Sequence, residues 1–230
     1  MKLLTHIFAS ARKNTLLITA LTLMSCTSVA MAQSVQVRLI DANGEPIKDA
    51  VIELFSEDNA EVVSVKYHEA KIDQIDKEFV PGVTIIVAGG SVSFPNGDDI
   101  LHHVYSFSTA KTFDTPLYGR DDNNQYRETF DKPGVVEIGC NIHDWMLAYI
   151  YVGESDKMAI SNAQGIAAIA ELPAGEYRLK IWHARLSDSE GYVQTITVGE
   201  NSLTELTVEL QLARDRRIRR APSSNRRRYR

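Results

Sequence analysis

Cys140-Asn-Ile-His143-Asp-Trp-Met146 sets a thiol, an imidazole and a thioether within seven residues, at the end of an apolar, strand-like run. Upstream, Asn96-Gly-Asp-Asp-Ile-Leu-His102-His103-Val104 offers further imidazoles beside a second such run. A lone cysteine at a strand end is usually a small buried hydrophobe, and a lone histidine is usually a hydrogen-bonded core or surface residue. Those readings weaken when the residues recur as Cys-x2-His-x2-Met with a distant histidine on another strand. Two imidazoles, one thiolate and one weakly bound thioether are the ligand set of a type 1 (blue) copper site. The soft sulfur donors suit Cu(I), the imidazoles suit both oxidation states, and a rigid β-scaffold leaves little to rearrange when an electron arrives.

Around the motif the alternation has period two. Val136, Ile138 and Cys140 share one face, so the sulfur points inward from the strand's end. Strands are expected at 72–76, 83–87, 91–94, 103–107, 135–140 and 148–152. Towards the chain ends, Val35, Val37 and Leu39 form one face of a strand, Asp41-Ala-Asn-Gly44-Glu-Pro46 a turn, and residues 50–55 the return strand. Late in the chain Tyr177, Leu179 and Ile181 alternate, then Leu206, Val208, Leu210 and Leu212. No amphipathic helix of useful length is evident, and the reading is all-β.

From about residue 72 to 152 the chain resembles the cupredoxins, the plastocyanin and amicyanin group of small copper proteins. The resemblance rests on Phe79-Val-Pro81, residues 83–90, Val92-Ser-Phe94, Asn96, His102-His103-Val104, Phe130-Asp-Lys-Pro133-Gly134 and Cys140-x2-His143-x2-Met146. It implies a Greek-key β-sandwich holding one type 1 copper ion through His102, Cys140, His143 and Met146. In that arrangement the thiolate and two imidazoles form a plane, Met146 is a long axial contact, and His143 is the edge through which electrons pass. Ile142, Trp145 and Leu147 flank it as a docking patch. Two departures stand out: Asp144 occupies the place of amicyanin's proline after the loop histidine, and His103 that of the asparagine which commonly follows the first ligand. That asparagine steadies the ligand loops, so His102 and His103 both remain open as the ligand.

The flanks resemble another module. Val37-x3-Asp41-x2-Gly44-x-Pro46-x3-Ala50-Val51 is similar to the opening of carboxypeptidase-regulatory-like (transthyretin-like) sandwiches. Asn162-Ala-Gln-Gly165 with Leu172-Pro-Ala-Gly175-Glu-Tyr177 is similar to their second half. Neither half has strands enough for a core. The organisation expected is a cupredoxin domain, 71–153, inserted into or joined to a second small β-sandwich split between 33–70 and 154–212.

Residues 1–32 have the form of a signal peptide: Lys2, Arg12 and Lys13, an apolar run at 15–24 too short to span a bilayer, then Ala30-Met-Ala32. Export to the periplasm is the expectation; Leu23-Met-Ser-Cys26 is a lipobox-like rival that would anchor the chain through Cys26. Of the two cysteines only Cys140 would remain after cleavage at Ala32. A solitary thiol in an oxidising compartment needs an explanation, and metal ligation supplies one.

Residues 33–212 hold 13 basic and 29 acidic residues, a net of about −16, whereas 213–230 hold nine Arg and one Asp. The acidic body repels nucleic acid and anionic membranes. The Arg-rich tail is too poor in apolar residues to order itself; it reads as a solvated tail or as an electrostatic tether to an acidic partner or membrane. No nucleophile elbow, phosphate loop or dinucleotide fingerprint is found. The expected function is single-electron transfer between protein redox partners rather than catalysis; the alternative is a binding or scaffold protein in which copper is structural or stored. His68 and His183 are expected outside the metal site.

Overall fold

A computed structural model describes residues 33–56, 68–121, 126–187, 191–200 and 202–215. The expected leader with Cys26, and the tail beyond residue 215, lie outside the described residues.

The chain is all-β. β1 (Ser34–Ile40) and β2 (Val51–Ser56) come first. Next come β3 (Glu69–Lys71), β4 (Asp73–Ile75), β5 (Glu78–Val80), β6 (Val83–Val87), β7 (Gly90–Phe94), β8 (Tyr105–Ser108), β9 (Lys111–Asp114), β10 (Tyr126–Phe130), β11 (Gly134–Gly139) and β12 (Leu147–Gly153). The last are β13 (Met158–Ile160), β14 (Ile166–Ala170), β15 (Gly175–Trp182), β16 (Tyr192–Val198) and β17 (Leu203–Glu209). No helix occurs among the described residues.

Strands from the two chain ends build one pair of sheets, in the orders β14-β1-β17 and β13-β2-β15-β16. Their shared core contains Val35, Val37, Leu39, Ile52, Leu54, Tyr177, Leu179, Ile181 and Val208, the residues whose alternation is visible in the sequence. The middle of the chain builds another pair, β10-β7-β3 and β6-β12-β11-β8-β9, over a core of Ile86, Val92, Phe94, Phe130, Val136, Ile138 and Ile150. Cys140 and Met146 belong to this second core. A short hairpin, β4-β5, lies beside it.

The return strand expected after Pro46 does not pair with β1. β1 lies between β14 and β17, and β2 between β13 and β15, in the facing sheet. Only an isolated Ile40–Pro46 bridge remains of the hairpin. The reason lies in the side chains of β2, where Val51, Ile52, Glu53 and Leu54 are all buried. Burial without alternation marks a strand covered on both faces: Ile52 and Leu54 enter the first core, while Val51 joins Val83, Val87, Tyr151, Met158 and Trp182 in a third cluster spanning both sandwiches.

Glu53 crosses the same boundary. One carboxylate oxygen accepts the Tyr151 hydroxyl at 2.6 Å; the other accepts the amides of Glu154 at 2.7 Å and Ser155 at 2.8 Å. Gly153 makes room for it, since a Cβ there would lie 2.8 Å from Oε1. Desolvation outweighs these donors and raises the Glu53 pKa above 4.5.

Candidate metal centre

Cys140 follows β11 directly, and its side chain continues the inward face of Val136 and Ile138, leaving it 2 % exposed. The next residues turn sharply: the Met146 amide donates to the His143 carbonyl at 2.9 Å, which brings the loop imidazole back over the sulfur. Met146 is buried in the same core. His102 lies just before β8 rather than within a strand; it pairs with Tyr118 through two backbone hydrogen bonds of 3.0 Å and is fully buried.

These elements bring three ligand atoms together. His102 Nδ1 is 3.8 Å and His143 Nδ1 3.9 Å from Cys140 Sγ, and all three atoms lie within 4.8 Å of one another. A sulfur 3.8 and 3.9 Å from two nitrogens that lie within 4.8 Å of each other leaves a centre a little over 2 Å from all three, close to the bond lengths that borderline metals take with nitrogen and sulfur (~2.0–2.3 Å). One thiolate and two imidazoles suit a copper ion. It is the one such group among the described residues.

The electrostatics favour a metal-ready thiolate. Burial pushes the Cys140 thiol up, but His102 and the amides of Ile142, His143 and His103 outweigh it and bring the pKa from 9.0 to about 6. Burial also opposes charge on His102, yet Cys140 and Asp98, facing its two ring nitrogens, hold its pKa above 6.5. Beyond the sulfur, His102 Nε2 lies 2.8 Å from Asp98 Oδ2. An ionised carboxylate only accepts, so in the neutral ring Nε2 carries the proton and Nδ1 keeps the lone pair a metal needs.

The two adjacent histidines part company here. His103 turns to Asp114, with Nε2 2.7 Å from Oδ1, and its ring lies tilted against Tyr105 with centroids 5.6 Å apart. It reaches the sulfur only through its amide. The segment leading to His102 is held by Asn96, whose side chain donates to the carbonyls of Ile100 and Tyr118 at 2.8 and 3.0 Å and accepts the Asp98 amide at 2.9 Å.

Of the flanking residues, Ile142 is 49 % exposed. Trp145 and Leu147 are half-buried. The Trp145 ring centroid lies 5.2 Å from that of His143, and its Nε1 donates to the Lys77 carbonyl at 3.1 Å. His68 is half-buried, and its carbonyl accepts the Ser91 amide. His183 is buried, its Nδ1 accepting the Arg185 amide at 3.2 Å. Neither belongs to the metal group. Sequence reasoning does not single out Asp98. The one available signal was its place four residues before His102.

The similar solved structures are cupredoxins and their relatives. A purple cupredoxin from Nitrosopumilus maritimus is 21 % identical over 36 % of this chain and 99 % of its own, with a TM-score of 0.33. Amicyanin from Paracoccus versutus is 20 % identical over 44 % of this chain and 97 % of its own, with a TM-score of 0.34. A copper-containing nitrite reductase from Thermus scotoductus SA-01 is 23 % identical over 51 % of this chain but only 28 % of its own, with a TM-score of 0.35. No protein-family model matches the chain, and no curated protein sequence matches it.

Proposed function

We propose that the chain is an exported type 1 copper protein that carries single electrons between periplasmic protein partners. The observation that carries this reading is the convergence of His102 Nδ1, His143 Nδ1 and a thiolate-prone Cys140 Sγ within 4.8 Å. Copper would be held by Cys140, His102 and His143, with the Met146 sulfur as a further ligand, and it would supply the one-electron couple.

The chain's own residues do the rest. Amides of residues 103, 142 and 143 point at the sulfur and stabilise its negative charge before any metal arrives. His102 is sealed in the core and acts as a fixed ligand, while half-buried His143 is the edge at which a partner meets the site. Exposed Ile142 and the Trp145 ring offer that partner an apolar rim around His143. Carrier function needs no substrate pocket at the metal, only close approach to this edge.

The test is copper titration of the apo-protein followed by visible spectroscopy. One equivalent is expected to give an intense thiolate-to-copper band. Cys140→Ser should abolish that band, whereas His68→Ala and His183→Ala should leave it intact. A full band in Cys140→Ser would sink the assignment. Electron self-exchange separates carrier from store: a carrier exchanges quickly because its ligands are already in place.

A further inference from the structure

The two imidazoles of the metal group are connected on the side away from the sulfur, through a segment that supplies no ligand. Asp98 is at the centre of this connection. It is 14 % exposed, and its two oxygens meet three donors: Oδ1 accepts the Asp76 amide at 2.7 Å, and Oδ2 accepts the Lys77 amide at 2.9 Å and faces His102 Nε2 at 2.8 Å. Asp76 and Lys77 form the turn of the β4-β5 hairpin with left-handed backbones, at φ 53° and 62°. For non-glycine residues that conformation costs about 1 kcal/mol or more each and persists only where surrounding contacts hold it. Lys77 also receives Trp145 Nε1 on its carbonyl, and the Trp145 ring leans on His143.

We propose that Asp98 is a positioning residue for the copper site, locking His102 in the Nδ1-binding tautomer, placing a negative charge behind it, and tying both to the β4-β5 hairpin. The proposal rests on the copper reading above. A carboxylate behind a metal-bound imidazole fixes the ring and strengthens it as a donor. Donation from a more basic ligand favours Cu(II) over Cu(I), so Asp98 holds the potential down. The hairpin makes the contact specific. Asparagine has one accepting oxygen where Asp98 uses two, so it cannot serve all three donors.

The experiment compares the copper-loaded wild type with Asp98→Asn, using Asp99→Asn as the charge control. Asp99 is 86 % exposed and pairs with Arg120, so its variant removes the same charge one residue away without touching His102. Asp98→Asn is expected to weaken Cu(II) binding by about 10- to 100-fold, the usual cost of losing such a partner, and to weaken Cu(I) binding less. Each tenfold difference between the two states raises a one-electron potential by about 59 mV. Hydrogen exchange of the Asp76 and Lys77 amides should quicken in Asp98→Asn alone. Should Asp98→Asn not fold, the wild-type Cu(I) protein, which is diamagnetic, still decides: a slowly exchanging His102 Nε2 proton should appear by NMR. An unchanged potential in coloured Asp98→Asn, an equal shift in Asp99→Asn, or the absence of that proton overturns the inference while leaving the copper reading standing. A wild type that takes up no copper overturns both.

Discussion

His102 and His103 share a peptide bond and face different carboxylates, and that difference defines the metal group. His102 is held between Asp98 and Cys140, His103 by Asp114. His102→Ala should therefore abolish the visible band, while His103→Ala should preserve it, since residue 103 reaches the sulfur through its backbone alone. In the apo-protein, the ultraviolet absorbance of the Cys140 thiolate should rise with a midpoint near pH 6. His102→Ala should move that midpoint upward by removing the principal contact that lowers it. The proximity of Cys140 and His143 was legible because it is local: an inward-facing strand end followed by a tight turn. The choice between the adjacent histidines was not, because it depends on Asp98 and Asp114, whose positions are set by tertiary packing. Asn96 likewise shows its role only once the loops on either side of it are folded.

At the level of elements, β2 is the instructive case. Its turn and apolar run read as the second arm of a hairpin, yet the strand crosses to the facing sheet because both of its faces are needed. Consecutive apolar residues had signalled this, but the buried carboxylate of Glu53 hid it. Glu53→Ala would leave the Tyr151 hydroxyl and two amides without their acceptor, and should destabilise the protein by about 3 kcal/mol. The pH dependence follows from the raised pKa. Folding favours the protonated acid, so this stabilisation is fully present below 4.5 and is lost as pH rises through the folded-state value. The stability of wild type relative to Glu53→Gln should accordingly fall with rising pH, measured by denaturant unfolding; a flat difference would mean that Glu53 does not titrate differently on folding. The strands β1, β11 and β15 were foreseeable from their alternation, and β6 and β12 from their apolar runs. Short β3, β5, β9 and β10 carry too few inward residues to announce themselves.

For the whole molecule, we propose that residues 68–153 are an inserted module and that the strands before residue 57 and after 154 form its host; the boundary expected at 71 moves back because β3 pairs with β7 and Ala70 packs on the middle core. Among the described residues, the host core draws nothing from between residues 55 and 158. Replacing 68–153 by a short Gly-Ser linker should leave a cooperatively unfolding sandwich. Trp182, 8 % exposed against Tyr149 and Tyr151, would then be the chain's remaining tryptophan. Its emission should shift to the red as that cover is lost, and a molten, non-cooperative product would refute the insertion. The parallel pairing of β1 with β17 has a consequence in time. Ser34 must wait for Leu203, 169 positions away, before its ladder can close, and loop closure over such a span is slow. The metal-binding strands all lie between those partners, so they can assemble while the host is still open. Refolding should show the copper-binding step completing ahead of a slower phase in which the first strand is captured.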